Sequence, residues 1–160
     1  MKVGVLLSSR FEDPGEFLAD ARAMEAAGVD SVWIEDDETG IDVWMALAAV
    51  AAVTGQLRAH LIITRAMTPT FEHRRQVTTL EHLSQGRATV AVEDTHGLLT
   101  GIERWRRVEV PSDREAWANT LKQAGSDVEG VLVPMNPRLL DILRHPEDAI
   151  DRSDLLLAQG

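Results

Sequence analysis

The residues with chemical potential are few, and they sit in small groups. Asp36-Asp37-Glu38 sets three carboxylates side by side, and close carboxylates can converge on a hard cation or share a proton. Consecutive residues of an extended chain point in opposite directions, and no separate ligand motif accompanies these three, so a solvated loop is the favoured reading. His73-Arg74-Arg75 is the best basic cluster in the chain and offers a place for a bound anion, against the plainer role of a solvated or helix-packing segment. His82, nine residues further along the same helix, cannot share a metal with His73 without a third ligand from elsewhere. His60 alternates with Ile62 and Thr64 on one strand face. Facing inward it would hold a proton near neutral pH beneath a pocket, and a hydrogen-bonded core histidine is the plainer alternative. No Ser-His-Asp order or lysine context suggests a covalent nucleophile. The chain has no cysteine, which excludes disulfides and thiolate chemistry, so any redox reaction requires a bound cofactor.

These groups need a scaffold. With 160 residues, 44% of them apolar, the chain supports one compact core, read as a single domain over 1–160. Its 16 basic and 26 acidic residues argue against nucleic-acid and anionic-membrane partners, which are held by clustered Lys and Arg. The opening apolar run, Val3 to Leu7, is too short for a signal peptide, no later segment reads as a membrane span, and a cytoplasmic location is expected.

Short apolar runs alternate with capped amphipathic segments, the pattern of a parallel sheet with crossover helices. Strands are expected at Val3–Ser8, Ser31–Glu35, Leu57–Thr64, Ala88–Val92, Val108–Val110 and Val131–Val133, with Asp154–Ala158 a candidate seventh. Helices are expected after Asp13-Pro14, from Asp42 to about Thr54, from Thr68-Pro69 to Ser84 with Val77, Leu80 and Leu83 inward, after a Ser112-x-x-Glu115 capping box, and after Asn136-Pro137. The polar stretch from Glu93 to Gly101 reads as a loop. Six to seven parallel strands in this length fit either a reduced or incomplete TIM-barrel-like βα ring or an open doubly wound sheet. Helix 42–54 is apolar all round, which predicts a second subunit over its outer face and hence a homodimer, with burial beneath a loop of the same chain as the alternative.

Three blocks decide between the folds. Glu25-Ala26-Ala27-Gly28-Val29-Asp30-Ser31-Val32-Trp33-Ile34-Glu35-Asp36, then Leu47 to Thr54 with Leu57-Arg58, and above all Glu72-His73-Arg74-Arg75-Gln76 followed by Thr79 to Arg87 with its Leu83-Ser84-Gln85-Gly86-Arg87 ending, resemble in order and spacing the N-terminal half of bacterial luciferase-like flavin monooxygenases. The resemblance covers residues 1–92, and 93–160 is a compressed counterpart of the family's later half. It implies a barrel-derived fold, usually dimeric, that binds reduced FMN or a deazaflavin at the C-terminal strand ends and inserts oxygen or transfers hydride. The matching strand ends are Ser8-Ser9, Glu35-Asp36-Asp37, Thr64-Arg65 and Glu93-Asp94, which makes Ser8, Glu35, Asp36, Thr64, Arg65 and the anion candidate His73 the expected cofactor-binding residues. Parallel sheets in general bind small-molecule ligands at that edge. Trp33, Trp44, Trp105 and Trp117 could stack on a flavin, with core and interface anchoring as the simpler role. The chain departs from the family in having Ala91-Val92-Glu93-Asp94 where a glycine loop is common, and no histidine after its second strand. Two expectations therefore stand together: a flavin- or deazaflavin-dependent oxidoreductase, or a non-catalytic homodimeric binding or assembly protein that has lost the cofactor site and takes none.

Overall fold

The computed structural model describes residues 1–36, 41–63, 71–93, 98–100 and 103–143. Seven strands close into a barrel: β1 (Lys2–Leu7), β2 (Ser31–Glu35), β3 (Arg58–Ile63), β4 (Ala88–Glu93), β5 (Leu98–Thr100), β6 (Trp105–Arg107) and β7 (Gly130–Pro134). Neighbours from β1 to β4 pair in parallel, as do β6 with β7, and β7 closes on β1 with Val3 opposite Val131. This closure removes the doubly wound alternative, because an open sheet has two unpaired edges. β5 alone runs the other way, antiparallel to both β4 and β6. The stretch expected to be a loop thus supplies the seventh strand. Residues 154–158 lie outside the described residues.

Alternation along each strand sorts the core into two layers. Val5, Leu7, Val32, Ile34, Ala59, Leu61, Ala88 and Val133 pack outward against the helices. Trp33, Ile62, Ala91, Trp105 and Leu132, with Leu6, come from six different strands yet pack on one another, so they fill the lumen. Room for the two indoles comes from glycines. A Cβ on Gly130 would stand 2.4 Å from the Trp105 ring, and one on Gly4 would stand 2.6 Å from Trp33 Nε1.

Helices α1 (Pro14–Ala26), α2 (Val43–Val53), α3 (Phe71–Leu83), α4 (Arg114–Gln123) and α5 (Leu139–Leu143) follow the expected sequence. Asp13 caps α1 by accepting from Gly15 N–H at 2.7 Å, and Asp42 caps α2 by accepting from Trp44 N–H at 2.9 Å. Phe17, Ala21 and Met24 form the buried stripe of α1, whose end turns at Gly28 with φ +75°. Three expectations are corrected. The fifth unit begins earlier, since β6 is Trp105–Arg107 while Val108 and Val110 pack against the core beyond it. Its helix is capped one residue later than the Ser112 box, with Asp113 accepting from Ala116 N–H at 2.8 Å. Of the three α3 residues expected inward, Leu80 is buried, whereas Val77 and Leu83 are 37% and 57% exposed, because α3 leans on α2 and leaves one apolar edge uncovered. The first helical caps expected for α3, Thr68 and Pro69, lie outside the described residues.

Candidate functional site

The C-terminal rim carries a cleft of about 300 Å³ lined by Leu6, Ser8, Ser9, Arg10, Glu35, Pro134 and Met135, among others. Ser8 fixes the loop leaving β1, because its Oγ accepts from Arg10 N–H at 3.0 Å and donates to the Arg10 carbonyl at 3.1 Å. Met135 N–H donates to the Leu6 carbonyl at 2.8 Å and holds the exit of β7 beside β1. Glu35 pairs with Arg107 Nη2 at 3.1 Å. These two residues end β2 and β6, which are not neighbours in the ring, so the ion pair spans the mouth of the barrel. Both side chains are about one-third exposed, and a pair so placed contributes little to stability, on the order of 1 kcal/mol or less.

Of the residues expected at the cofactor site, Ser8 and Glu35 line this cleft together. Asp36 is half-buried beside it, its N–H donating to the Ile62 carbonyl at 3.1 Å. His73 stands elsewhere, stacked on Trp44 at 5.9 Å between α2 and α3. Thr64 and Arg65 lie outside the described residues, as do Asp37, Glu38 and Asp94. Arg10, Arg107 and Met135 are the rim residues that sequence reasoning missed. Arg107 was legible in principle, since it stands two residues after Trp105 and so shares its inward face once β6 is placed.

Below the rim the lumen is occupied by the protein itself. Trp33 meets Trp105 edge-on at 5.3 Å and lies 4.3 Å from the His60 ring, and Trp33 Nε1 donates to Ser31 Oγ at 2.8 Å. His60 faces inward with Ile62, the orientation that alternation leaves open. It is hydrogen-bonded through Nδ1 to Thr89 Oγ1, and burial, reinforced by the Arg58 charge and opposed by Glu103, lowers its pKa to about 4. It is neutral at physiological pH and holds no titrating proton there. A ligand at the rim is confined to the rim by this packed floor. Trp44 flanks the α2/α3 groove and Trp117 anchors a separate cluster with Val128 and Ile142, so none of the four indoles lines the rim cleft.

Among the described residues no group of three or more His, Asp or Glu is placed to hold a metal ion, and no helix is long and apolar enough to cross a membrane.

A closed ring of mostly parallel strands, wrapped by helices and carrying a polar cleft at its C-terminal rim, defines a reduced βα-barrel protein. Residues 1–92, more than half of the chain, match the family described as luciferase-like monooxygenase, and the chain belongs to that family. No curated protein matches it in sequence. Among solved structures it is similar to a coenzyme F420-dependent tetrahydromethanopterin reductase from Methanopyrus kandleri, at 17% identity and a TM-score of 0.51 over 74% of this chain and 29% of the reductase. It is likewise similar to a long-chain alkane monooxygenase, LadA, at 16% identity and a TM-score of 0.52 over 78% of this chain and 38% of that protein. The chain thus spans about a third of the length of the structures it resembles, and the likeness is one of fold.

Proposed function

We propose that the C-terminal rim binds the phosphate-bearing tail of FMN or a deazaflavin, and that the chain serves a flavin- or deazaflavin-dependent oxidoreductase or monooxygenase reaction. One observation carries the reading: Ser8, Ser9 and Arg10 line the same cleft as the apolar Leu6, Pro134 and Met135. Hydroxyl, guanidinium and apolar surface are the donor set a phosphorylated, planar cofactor needs, and about 300 Å³ lies at the lower end for a small-molecule site. Ser9 and Arg10 would hold the anionic end, on the loop that Ser8 fixes. The bound cofactor would supply hydride transfer or oxygen activation, and this chain would supply orientation and a floor of Trp33 and Trp105 closed to water. Both structural neighbours carry such activities in their names, which makes the class a reasonable expectation for this chain.

Fluorescence titration with FMN and with a deazaflavin tests the proposal. Micromolar binding that weakens about tenfold in Arg10→Ala is expected for a lost charge-assisted contact. Absence of binding up to millimolar cofactor would sink it and leave the second reading, a non-catalytic homodimeric binding or assembly protein. That reading has its own support, since the Glu35–Arg107 pair already bridges the mouth.

Under either reading the partner proposed is a second copy of the chain, docked through the apolar helix of residues 42–54. Met45 is 68% exposed and Leu83 57% exposed, and with Trp44, Ala48 and Leu80 they border a groove of about 400 Å³ between α2 and α3. Contiguous apolar surface of this kind marks an interaction site.

A further inference from the structure

Among the described residues the wall of the closed barrel is thinnest between the lower half of β4 and β6. β5 pairs with Val92 and Glu93 only, so the lower half of β4 has a strand partner in β3 but none on its other edge among the described residues. Glu103 and Trp105 form the far bank of this stretch. Between the banks lies a cavity of about 130 Å³ whose lining includes Trp33, Arg58, His60, Thr89, Glu103 and Trp105. It sits toward the N-terminal ends of the strands and shares no lining residue with the rim cleft.

The polar groups on its wall are mismatched in one direction. His60 is 6% exposed, and its Nε2 is buried with no hydrogen-bond partner among the described residues. We take the tautomer in which Thr89 donates its hydroxyl proton to His60 Nδ1, so that the hydrogen of the neutral imidazole lies on Nε2, a donor lacking an acceptor among the described residues. Arg58, two residues earlier and on the same strand face, touches Glu103 through Nη1 alone, at 3.4 Å from each oxygen. Its Nε and Nη2 have no acceptor among the described residues. Glu103 is already claimed: Lys2 donates to it, and that bond, with Arg58 and against burial, holds its carboxyl below the usual range. Arg87 directs its guanidinium to the carbonyls of Ala51, Thr54 and Leu57. Two cations, Lys2 and Arg58, meet on the half-buried Glu103 carboxylate, with Glu129 3.8 Å from Lys2 as a second, more exposed partner, so the donors left over at the cavity are His60 Nε2 and the remaining Arg58 N–H groups. A volume of about 130 Å³ is well above the roughly 10–15 Å³ one water requires.

We propose that this cavity is a second ligand site, separate from the rim, that takes a small monocarboxylate of formate or acetate size. The carboxylate oxygens accept from His60 Nε2–H and from Arg58, and the short apolar end rests on Trp33 and Trp105. A carboxylate makes a charge-assisted bond to the Arg58 guanidinium that a neutral ligand of the same shape does not, so charge as well as size sets the selectivity.

Proton–nitrogen NMR of the unliganded full chain tests this, with sodium acetate replacing sodium chloride at constant ionic strength and acetamide as the neutral isostere. His60 Nε2, assigned through a His60→Asn variant, and Trp33 Nε1–H should shift saturably, with half-saturation at about millimolar acetate. Acetamide should leave both unmoved. In Arg58→Gln the half-saturating concentration should rise about tenfold, the effect of losing a charged donor. Shifts that stay linear across the acetate range, or that acetamide reproduces, overturn the proposal on the wild-type protein alone, whether or not the variant folds. No cofactor is present in these titrations, so their outcome is independent of the rim.

Discussion

Glu25 accepts from the backbone N–H groups of Gly55, Gln56 and Leu57 at 2.9, 2.6 and 2.9 Å, and these bonds, Gln56 and Leu57 foremost, hold its carboxyl below the ordinary range. Glu25→Ala should lower stability by about 2 kcal/mol, the loss of charge-assisted hydrogen bonds, read as a lower urea midpoint at unchanged slope. Arg87 ties off the last carbonyls of α2, Ser84 Oγ accepts from Ala88 N–H at 3.0 Å, Gln85 and Gly86 turn at φ +55° and +78°, and Asp30 accepts from Val3 N–H at 2.7 Å. Glu25, Asp30, Ser84, Gln85, Gly86 and Arg87 are among the residues that make the sequence resemble its family, and each of these builds the N-terminal face. The fold was therefore legible while the site was not: residues that specify a turn or a cap leave a local pattern, whereas rim residues such as Arg107 meet their partners only after the ring closes. His60 shows the same limit, because alternation grouped it with Ile62 and Thr64 but fixed neither which way that face points nor how deeply it is buried. An unfolded histidine titrates near 6.5 and folded His60 near 4, so the unfolded state binds more protons between those values. Stability is unaffected above about pH 6.5 and falls as pH drops toward 4, by about 3 kcal/mol in all. Urea unfolding of the wild type and His60→Asn across pH 4–7 checks it, and a loss between pH 6.5 and 5 that persists in the variant would assign the effect to another group.

At the scale of elements, the first three βα units and β4 were readable because each strand is an apolar run and each helix is announced in the sequence by a proline, an aspartate cap or both. The later part failed where periodicity failed. β5 has three residues and β6 has Trp-Arg-Arg, a sequence that is apolar only at its first position. What makes β6 a strand is tertiary: Trp105 fills the lumen over Gly130, Arg106 donates to the Ala124 carbonyl at 2.9 Å, and Arg107 reaches Glu35. The closeness of Gly130 to the outer ring atoms of Trp105 gives a two-element prediction. Gly130→Ala should destabilise by about 1–3 kcal/mol through overpacking, and Trp105→Phe, which removes those atoms, should make the same alanine nearly neutral. A double-mutant cycle by thermal or urea unfolding measures the coupling, and additive effects would mean that the backbone yields at β7 instead of the indole.

For the molecule as a whole, the ring settles one question and raises another. A barrel whose lumen is packed by its own indoles needs no partner strand or helix to fill it, so a second subunit is not required for closure. The case for a dimer rests entirely on the outside, where α2 buries Val43, Ala46, Leu47 and Val50 inward yet leaves Met45 to water, and α3 buries Leu80 while Leu83 and Val77 stay uncovered. Two helices each with a second apolar edge, meeting along one groove, form a surface that a symmetry-related copy can match residue for residue. Sedimentation equilibrium at tens of micromolar should therefore give twice the mass of one chain, and Met45→Asp or Leu83→Glu, which set a charge in the groove without touching the lumen, should give the single-chain mass with the far-UV spectrum retained. A wild-type protein that sediments as one chain throughout that range, or charged variants that remain dimeric, would mean that something other than a second copy covers this face.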